Sequence, residues 1–250
     1  MMRFEGKTVL IVGAASGLGA AIADAFHRDG ARLVLVDRDA QGLARHAERD
    51  PRCTTLCGDA ADPTTVDEAV RVAAAVDVLV HTAGIDPLSA TDVPGTSLLD
   101  WQTVLSVNLT SAFLAARAVL PGMIGRRRGT LLFTGSVAGV RPTPREAAYS
   151  VSKAGVIQLA RAIALDHARE GIRANALCPG FLESVMADRR GMLSERELED
   201  RSRTAAALVP LGREGRYDEM AALALTLCDD AVSGYITGQA IVADGGMLLG

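Results

Sequence analysis

The chain has 250 residues, a formal net charge of −4 and only 4% aromatic side chains. That length suits one sizeable α/β domain spanning residues 1–250, because either half alone would lack a complete sheet. The acidic balance and scarcity of rings provide neither a phosphate-tracking surface nor a base-stacking platform, so nucleic acid is not an expected partner.

At the N-terminus, Met1-Met2-Arg3-Phe4-Glu5-Gly6 carries no apolar signal region. No uninterrupted apolar run approaches the length that crosses a bilayer. A cytoplasmic protein with no membrane partner is therefore expected. The first element is the apolar run Lys7-Thr8-Val9-Leu10-Ile11-Val12, followed by Gly13-Ala14-Ala15-Ser16-Gly17-Leu18-Gly19 and then an amphipathic pattern. A buried strand, a glycine-rich turn and a helix N-terminus in that order let backbone N–H groups and the helix dipole hold a pyrophosphate. A second strand, Arg32 to Val36, ends in Asp37, 18 residues after Gly19. A carboxylate at that place can bind an adenosine ribose diol.

Further strands are predicted near Thr54-Leu56, Val78-Val80, Thr130-Thr134, Arg173-Leu177 and Ala240-Val242. Helical patterns run near Leu18-Asp29, Ala40-Arg49, Thr64-Ala75, Leu98-Ile124, Ala148-Glu170 and Asp218-Leu227. Seven strands alternating with helices imply an α/β fold built on a doubly wound parallel sheet with helices on both faces. Gly13, Asp37, Asp59, Gly84, Ser136 and Pro179 all follow strand ends. In such a sheet the ligand lies beyond the carboxyl ends of the strands, so these residues are expected to converge.

Tyr149-Ser150-Val151-Ser152-Lys153 places a phenol and an ammonium four residues apart, on one face of a helix. A nearby cation favours the phenolate, so Lys153 is expected to lower the pKa of Tyr149 and suit it to acid/base work.

Together these residues resemble the short-chain dehydrogenase/reductase family along nearly the whole chain, in its compact single-domain, Rossmann-like branch. The resemblance rests on the glycine turn, Cys57-Gly58-Asp59, His81-Thr82-Ala83-Gly84, Val107-Asn108-Leu109, Ser136, Tyr149 with Lys153, Pro179-Gly180, Pro210-Leu211-Gly212-Arg213, Tyr235 to Gln239 and Asp244-Gly245-Gly246, in the family's order. It implies a catalytic set of Asn108, Ser136, Tyr149 and Lys153. It implies a cofactor cradle of Gly13, Ser16, Gly17, Leu18, Gly19, Asp37, Asp59, Ala60, Ala83, Gly84, Tyr149, Lys153, Pro179, Gly180 and Ser184. The implied reaction is reversible NAD-dependent interconversion of a secondary alcohol and a ketone. In it Tyr149 is the acid/base, Ser136 bonds the substrate oxygen, Lys153 binds the nicotinamide ribose and Asn108 holds a water that links Lys153 to solvent.

Four positions depart from the family's usual residues: Val12 and Ser184 where threonine is common, and His81 and Thr82 in place of two asparagines. His81 is read as a strand-end histidine bonded locally. Two other functions stay open, an NADPH-dependent 3-oxoacyl thioester reductase and a dinucleotide-binding regulatory protein without turnover. Asp37 disfavours the first and the intact catalytic set argues against the second.

The remaining expectations are structural. Cys53, Cys57, Cys178 and Cys228 are read as buried thiols, with no partner set at metal-ligand spacing and hence no metal. Arg126-Arg127-Arg128 is read as a solvated loop after a long helix. Arg141 and Arg145 either meet a substrate carboxylate or face solvent. Residues 182–208 break the sheet pattern beside the site edge and are expected to form a mobile substrate lid. The apolar helix Ala154 to Ala160 and the tail Met247-Leu248-Leu249 point to a homo-oligomer, a tetramer by family resemblance.

Overall fold

The computed structural model describes residues 2–48, 52–86, 91–183, 203–205 and 207–250. The strands are β1 Thr8–Val12, β2 Arg32–Asp37, β3 Cys53–Cys57, β4 Val78–His81, β5 Gly129–Thr134, β6 Ile172–Pro179 and β7 Ala240–Ala243. The helices are α1 Gly17–Arg28, α2 Ala40–Ala47, α3 Pro63–Ala73, α4 Leu98–Leu105, α5 Ser111–Gly125, α6 Ala147–His167 and α7 Tyr217–Cys228. All seven strands are parallel, in the order β3-β2-β1-β4-β5-β6-β7.

Side chains alternate across each strand, and the two faces pack on different helices. Leu10, Val12, Val34 and Val36 meet Val66 and Ala69 of α3, Ala112 and Ala115 of α5, and Val156 and Ala160 of α6. Val9, Ile11, Leu33 and Leu35 meet Ile22 and Phe26 of α1, Leu43 of α2, and Met220 and Ala224 of α7. Chain progress reverses direction between β1 and β4, which opens a crevice at their carboxyl ends.

Helix starts follow local chemistry. Asp39 accepts from the N–H groups of Gln41 and Gly42, and Asp62 accepts from Thr64 N–H with Pro63 opening α3. The N-cap of α1, Ser16, makes no such side-chain bond.

Two expectations need correction here, the unbroken helix and the four buried thiols. The predicted helix Leu98-Ile124 is divided by a π turn at Ser106–Thr110, which no periodicity announces. Taken whole, Leu98–Gly125 is long and apolar enough to cross a bilayer by length and composition, although scattered polar residues hide this in the sequence. Its buried residues, among them Ala112, Leu114, Ala115 and Val119, cover the sheet. Arg126-Arg127-Arg128 is the exposed turn expected after the long helix, and its guanidiniums also reach across it: Arg126 donates to Val76 O at 2.7 Å, Arg127 to Arg169 O at 2.5 Å and Arg128 to Asp77 Oδ1 at 2.9 Å. Asp77 also receives Thr8 N–H at 3.0 Å, so this cluster clamps the amino ends of β1, β4 and β5, opposite the crevice. Cys57 is exposed at the edge strand, and Cys53 is half-buried, while Cys178 and Cys228 are buried. Most of the expected lid, 184–202, lies outside the described residues.

Arg173 on β6 is the most heavily bonded buried cation among the described residues. It donates to Leu227 O and Ile236 O at 3.1 Å each and to Asp230 Oδ1 at 2.8 Å. Arg173→Met keeps the aliphatic volume but removes the charged donor that ties Leu227 O, Ile236 O and Asp230 together, leaving Leu227 O with Ser233 Oγ alone and Ile236 O with Asn175 Nδ2 alone. It should lower unfolding free energy by about 2–4 kcal/mol in urea titration. Arg71→Ala, which breaks the exposed pair with Glu68, should leave the urea midpoint unchanged.

Candidate active site

The carboxyl ends of the strands border one cleft of about 570 Å³. That is within the size range of small-molecule and cofactor sites. Its walls include Gly13, Ser16, Gly17, Leu18 and Gly19, then Asp37, Asp59, Ala60, Ala83, Gly84, Ser136, Tyr149, Lys153, Pro179 and Gly180. These are the sequence-predicted positions brought together, apart from Asn108, which is buried just behind the wall, and Ser184, which lies outside the described residues.

The glycine turn is shaped by close backbone approach. A Cβ on Gly13 would lie 2.4 Å from Ala83 N, and one on Gly19 would lie 1.9 Å from Gly13 O. Gly13 has φ 88°, a left-handed conformation that glycine adopts at little cost. Thr82 explains its own departure from asparagine: its Oγ1 lies 2.9 Å from Val12 O and 2.8 Å from Gly13 O, pinning the turn to the end of β4. Asp37 is held with one oxygen on Ala15 N–H (2.9 Å) and the other on Asp39 N–H (3.0 Å). An uncapped helix start beside a glycine turn, with a fixed carboxylate at the next strand end, fits the pyrophosphate and adenosine ribose of a dinucleotide.

At the other end, Ser136 follows β5 and Tyr149 and Lys153 lie on the first turns of α6. Ser136 hydrogen-bonds the Tyr149 hydroxyl and accepts from Ala138 N–H at 3.1 Å. Lys153 Nζ donates to Thr134 O at 2.9 Å and sits 5.6 Å from the centre of the Tyr149 ring. Burial pushes Lys153 down to about 8. Burial also pushes the Tyr149 phenol upward, reinforced by the charge of Asp86 and, after the Ser136 bond that opposes it, by Glu146. The expected lowering of Tyr149 by Lys153 is therefore reversed in this state. Desolvation and two carboxylates outweigh an ammonium that is already engaged elsewhere. The phenol rests as an acid.

Asn108 belongs to the π turn. Its Oδ1 accepts from Ile85 N–H at 2.7 Å, and its Nδ2 donates to Ile85 O at 3.0 Å and Ser152 Oγ at 2.9 Å. A Cβ on Gly84 would lie 3.2 Å from Lys153 Nζ and 3.4 Å from Asn108 Oδ1, so Asn108 and Lys153 flank one small space. Cys178 is buried with its thiol pushed up to about 11 by desolvation, so it stays protonated. Arg141 is exposed, the second of the two expected outcomes, and donates to Met247 O at 3.3 Å and to Gly250 O.

Sequence reasoning missed Asp86 and Glu146, which line the cleft beside Tyr149, and also Tyr217 and Met247. Glu146 was detectable, since it stands three residues before Tyr149 at the N-cap of α6. Tyr217 and Met247 arrive from distant elements and leave no local signal.

His81 is buried, and desolvation first, then the charge of Lys153, pushes its imidazole down to about 3 from an ordinary 6.5. The unfolded chain takes up this proton below about 6.5 and the folded chain does not, so stability is lost as pH falls through that window. The slope reaches about 1.4 kcal/mol per pH unit. Between pH 7 and 5, His81→Asn should lose about 2 kcal/mol less unfolding free energy than the parent, read from urea titrations of both proteins.

Comparison with known proteins gives a consistent set of relatives. The family described as enoyl-(acyl carrier protein) reductase matches residues 13–248. The chain is similar to a 3-oxoacyl-[acyl-carrier-protein] reductase of Thermotoga maritima, 36% identical over 258 residues, covering 99% of this chain and 100% of the relative. It is also similar to a galactitol 2-dehydrogenase (L-tagatose-forming) of Cereibacter sphaeroides, 36% identical over 253 residues, covering 98% and 96%. Among solved structures, an oxidoreductase of the short-chain dehydrogenase/reductase family from Burkholderia thailandensis superimposes with a TM-score of 0.88 at 34% identity, covering 98% of this chain and 93% of that one.

Proposed function

We propose that this chain, which belongs to the short-chain dehydrogenase/reductase family of oxidoreductases, interconverts a secondary alcohol and a ketone with NAD as the preferred cofactor. The observation that carries the reading is the meeting of Tyr149, Ser136 and Lys153 in the same cleft as the glycine turn and Asp37. When bound, a nicotinamide supplies the hydride donor or acceptor.

The chain's own residues then have separate tasks. Tyr149 donates its proton to the oxygen of a ketone as that oxygen gains negative charge, and recovers it from the alcohol in reverse. Ser136, already bonded to the phenol, directs its hydroxyl to the same oxygen and stabilises the developing charge. Lys153, anchored on Thr134 O, keeps a cation beside Tyr149, where it disperses the phenolate's charge during transfer. Asp86 and Glu146 border this space, so neutral substrates, polyols among them, fit better than anionic ones.

A thioester reductase remains the second reading, favoured by the Thermotoga maritima relative. A panel of neutral and anionic alcohols, ketones and 3-oxoacyl thioesters, followed by absorbance of the reduced nicotinamide, separates the two. The apolar segment of α6 expected to form a contact packs into the chain's own core, with Val156, Ile157 and Ala160 buried. Support for a homo-oligomer comes instead from exposed Leu98, Leu99, Phe113 and Val151 and from Leu249 of the tail.

Tyr149→Phe keeps the ring and removes the proton. Turnover on the substrate found should fall by ~10²–10⁴-fold while nucleotide binding persists. A near-parental rate would refute the assigned acid/base.

Cofactor preference is set by charge at the ribose. Two unit charges ~4 Å apart repel by at most about 4 kcal/mol at an effective dielectric of 20, so Asp37 opposes the 2′-phosphate of NADP. Arg38 also lines the cleft and acts against this. The net preference for NAD should be about 1.4–3 kcal/mol, ten- to more than a hundredfold in kcat/KM. Asp37→Ser should narrow that gap, and because Asp37 holds Ala15 and Asp39 it should cost NAD some efficiency as well. Equal or better use of NADP by the parent would show that Arg38 governs the pocket.

A further inference from the structure

In a regular α-helix the N–H of Ser111 would bond Val107 O, four residues back. Here it bonds Ser106 O, five back, which is the mark of the π turn. Val107 O is instead met by the hydroxyl of Ser111. A carbonyl only accepts, so the single proton of Ser111 Oγ is used there. His81 Nε2 lies 2.8 Å from the same Ser111 Oγ. With no second proton on that oxygen, the imidazole must be the donor, which assigns His81 as its neutral Nε2–H tautomer.

The same pattern repeats one step along. Asn108 Nδ2 donates to Ser152 Oγ, and Ser152 Oγ donates to Tyr149 O at 2.7 Å. Two serine hydroxyls thus pass direction along two short chains, one from β4 into the π turn and one from the π turn into the catalytic helix. Both His81 and Ser111 are buried, with no water-facing alternative for either bond.

We propose that His81 and Ser111 form a latch that holds the π turn open by one residue, making His81 a positioning residue for Asn108. The inference rests on the catalytic reading above for its effect on rate, but not for its effect on structure. Without the latch, Ser111 N–H returns to Val107 O and the turn tightens to α. Removing one residue's worth of winding rotates the helix face by about 100°, which takes the Asn108 side chain away from Ile85. Misplacement of a catalytic-site group by an ångström or so costs up to about 10²-fold in rate.

The test uses the full chain with NAD and the substrate found by the panel. His81→Phe fills space without a donor, Ser111→Ala removes both bonds, and Ser111→Thr keeps the hydroxyl. The first two should lower kcat by about ten- to a hundredfold with nucleotide affinity within about twofold, and speed hydrogen exchange at the Ile85 amide. Ser111→Thr should restore both. Should the latch variants keep parental kcat and Ile85 protection while Asn108→Ala is impaired, the latch is refuted. Should Asn108→Ala turn over normally, the catalytic reading fails, and Ile85 exchange still decides the latch. If the variants fold poorly, ¹⁵N NMR of the parent decides it: an Nε2–H imidazole supports the latch, and an Nδ1–H imidazole overturns it.

Discussion

The whole arrangement depends on two backbones that nearly touch. The turn after β1 and the segment after β4 approach so closely that Gly13 has no room for a side chain against Ala83, and Gly19 has none against Gly13 O. Parallel pairing of β1 with β4, Val12 opposite His81, brings them there, and Thr82 closes the gap by bonding the turn's carbonyls. Once this contact forms, the start of α1 points into the crevice, and residues 83–86 are directed towards Asn108 and Lys153. One approach therefore aligns both ends of the cleft.

Desolvation is the second organising force, and it acts on three groups in a small volume. It holds Tyr149 as a phenol, draws Lys153 down towards neutrality and keeps His81 uncharged. A buried charge is costly unless paired, so this cluster keeps its protons few and places them on groups with defined partners. Lys153 remains the local cation because Thr134 O receives it. His81 remains neutral because a second cation beside Lys153 would be repelled. The carboxylates Asp86 and Glu146 stand on the solvent side of this arrangement and bias it towards a protonated phenol.

The edge opposite the cleft is built with equal care. Asp77 collects Thr8 N–H and Arg128, and Arg126 covers Val76 O, so the amino ends of the central strands are closed by ion pairs and capped carbonyls. Arg173 does similar work beneath β6.

Much of this was legible in the chain alone. Continuous short apolar runs, as strands buried on both faces require, and intervening helical patterns located the seven strands and most of the helices to within a few residues. The glycine spacing, Asp37 and the Tyr149–Lys153 pair were legible too: each is a short-range pattern with a geometric meaning. What stayed hidden depends on contacts between distant elements. The direction of the Tyr149 shift was misread because spacing shows Lys153 but not the burial or the two carboxylates around it. The π turn was missed because Val107 O and Ser111 are matched through His81, thirty residues earlier in the chain. The exposure of the arginines at 126–128 was legible, but their partners Val76, Asp77 and Arg169 were not, because they come from distant segments of the chain. Local sequence sets the dihedrals and faces of each element. Only their packing sets which polar groups lose water, and that loss decides the protonation and orientation of the site.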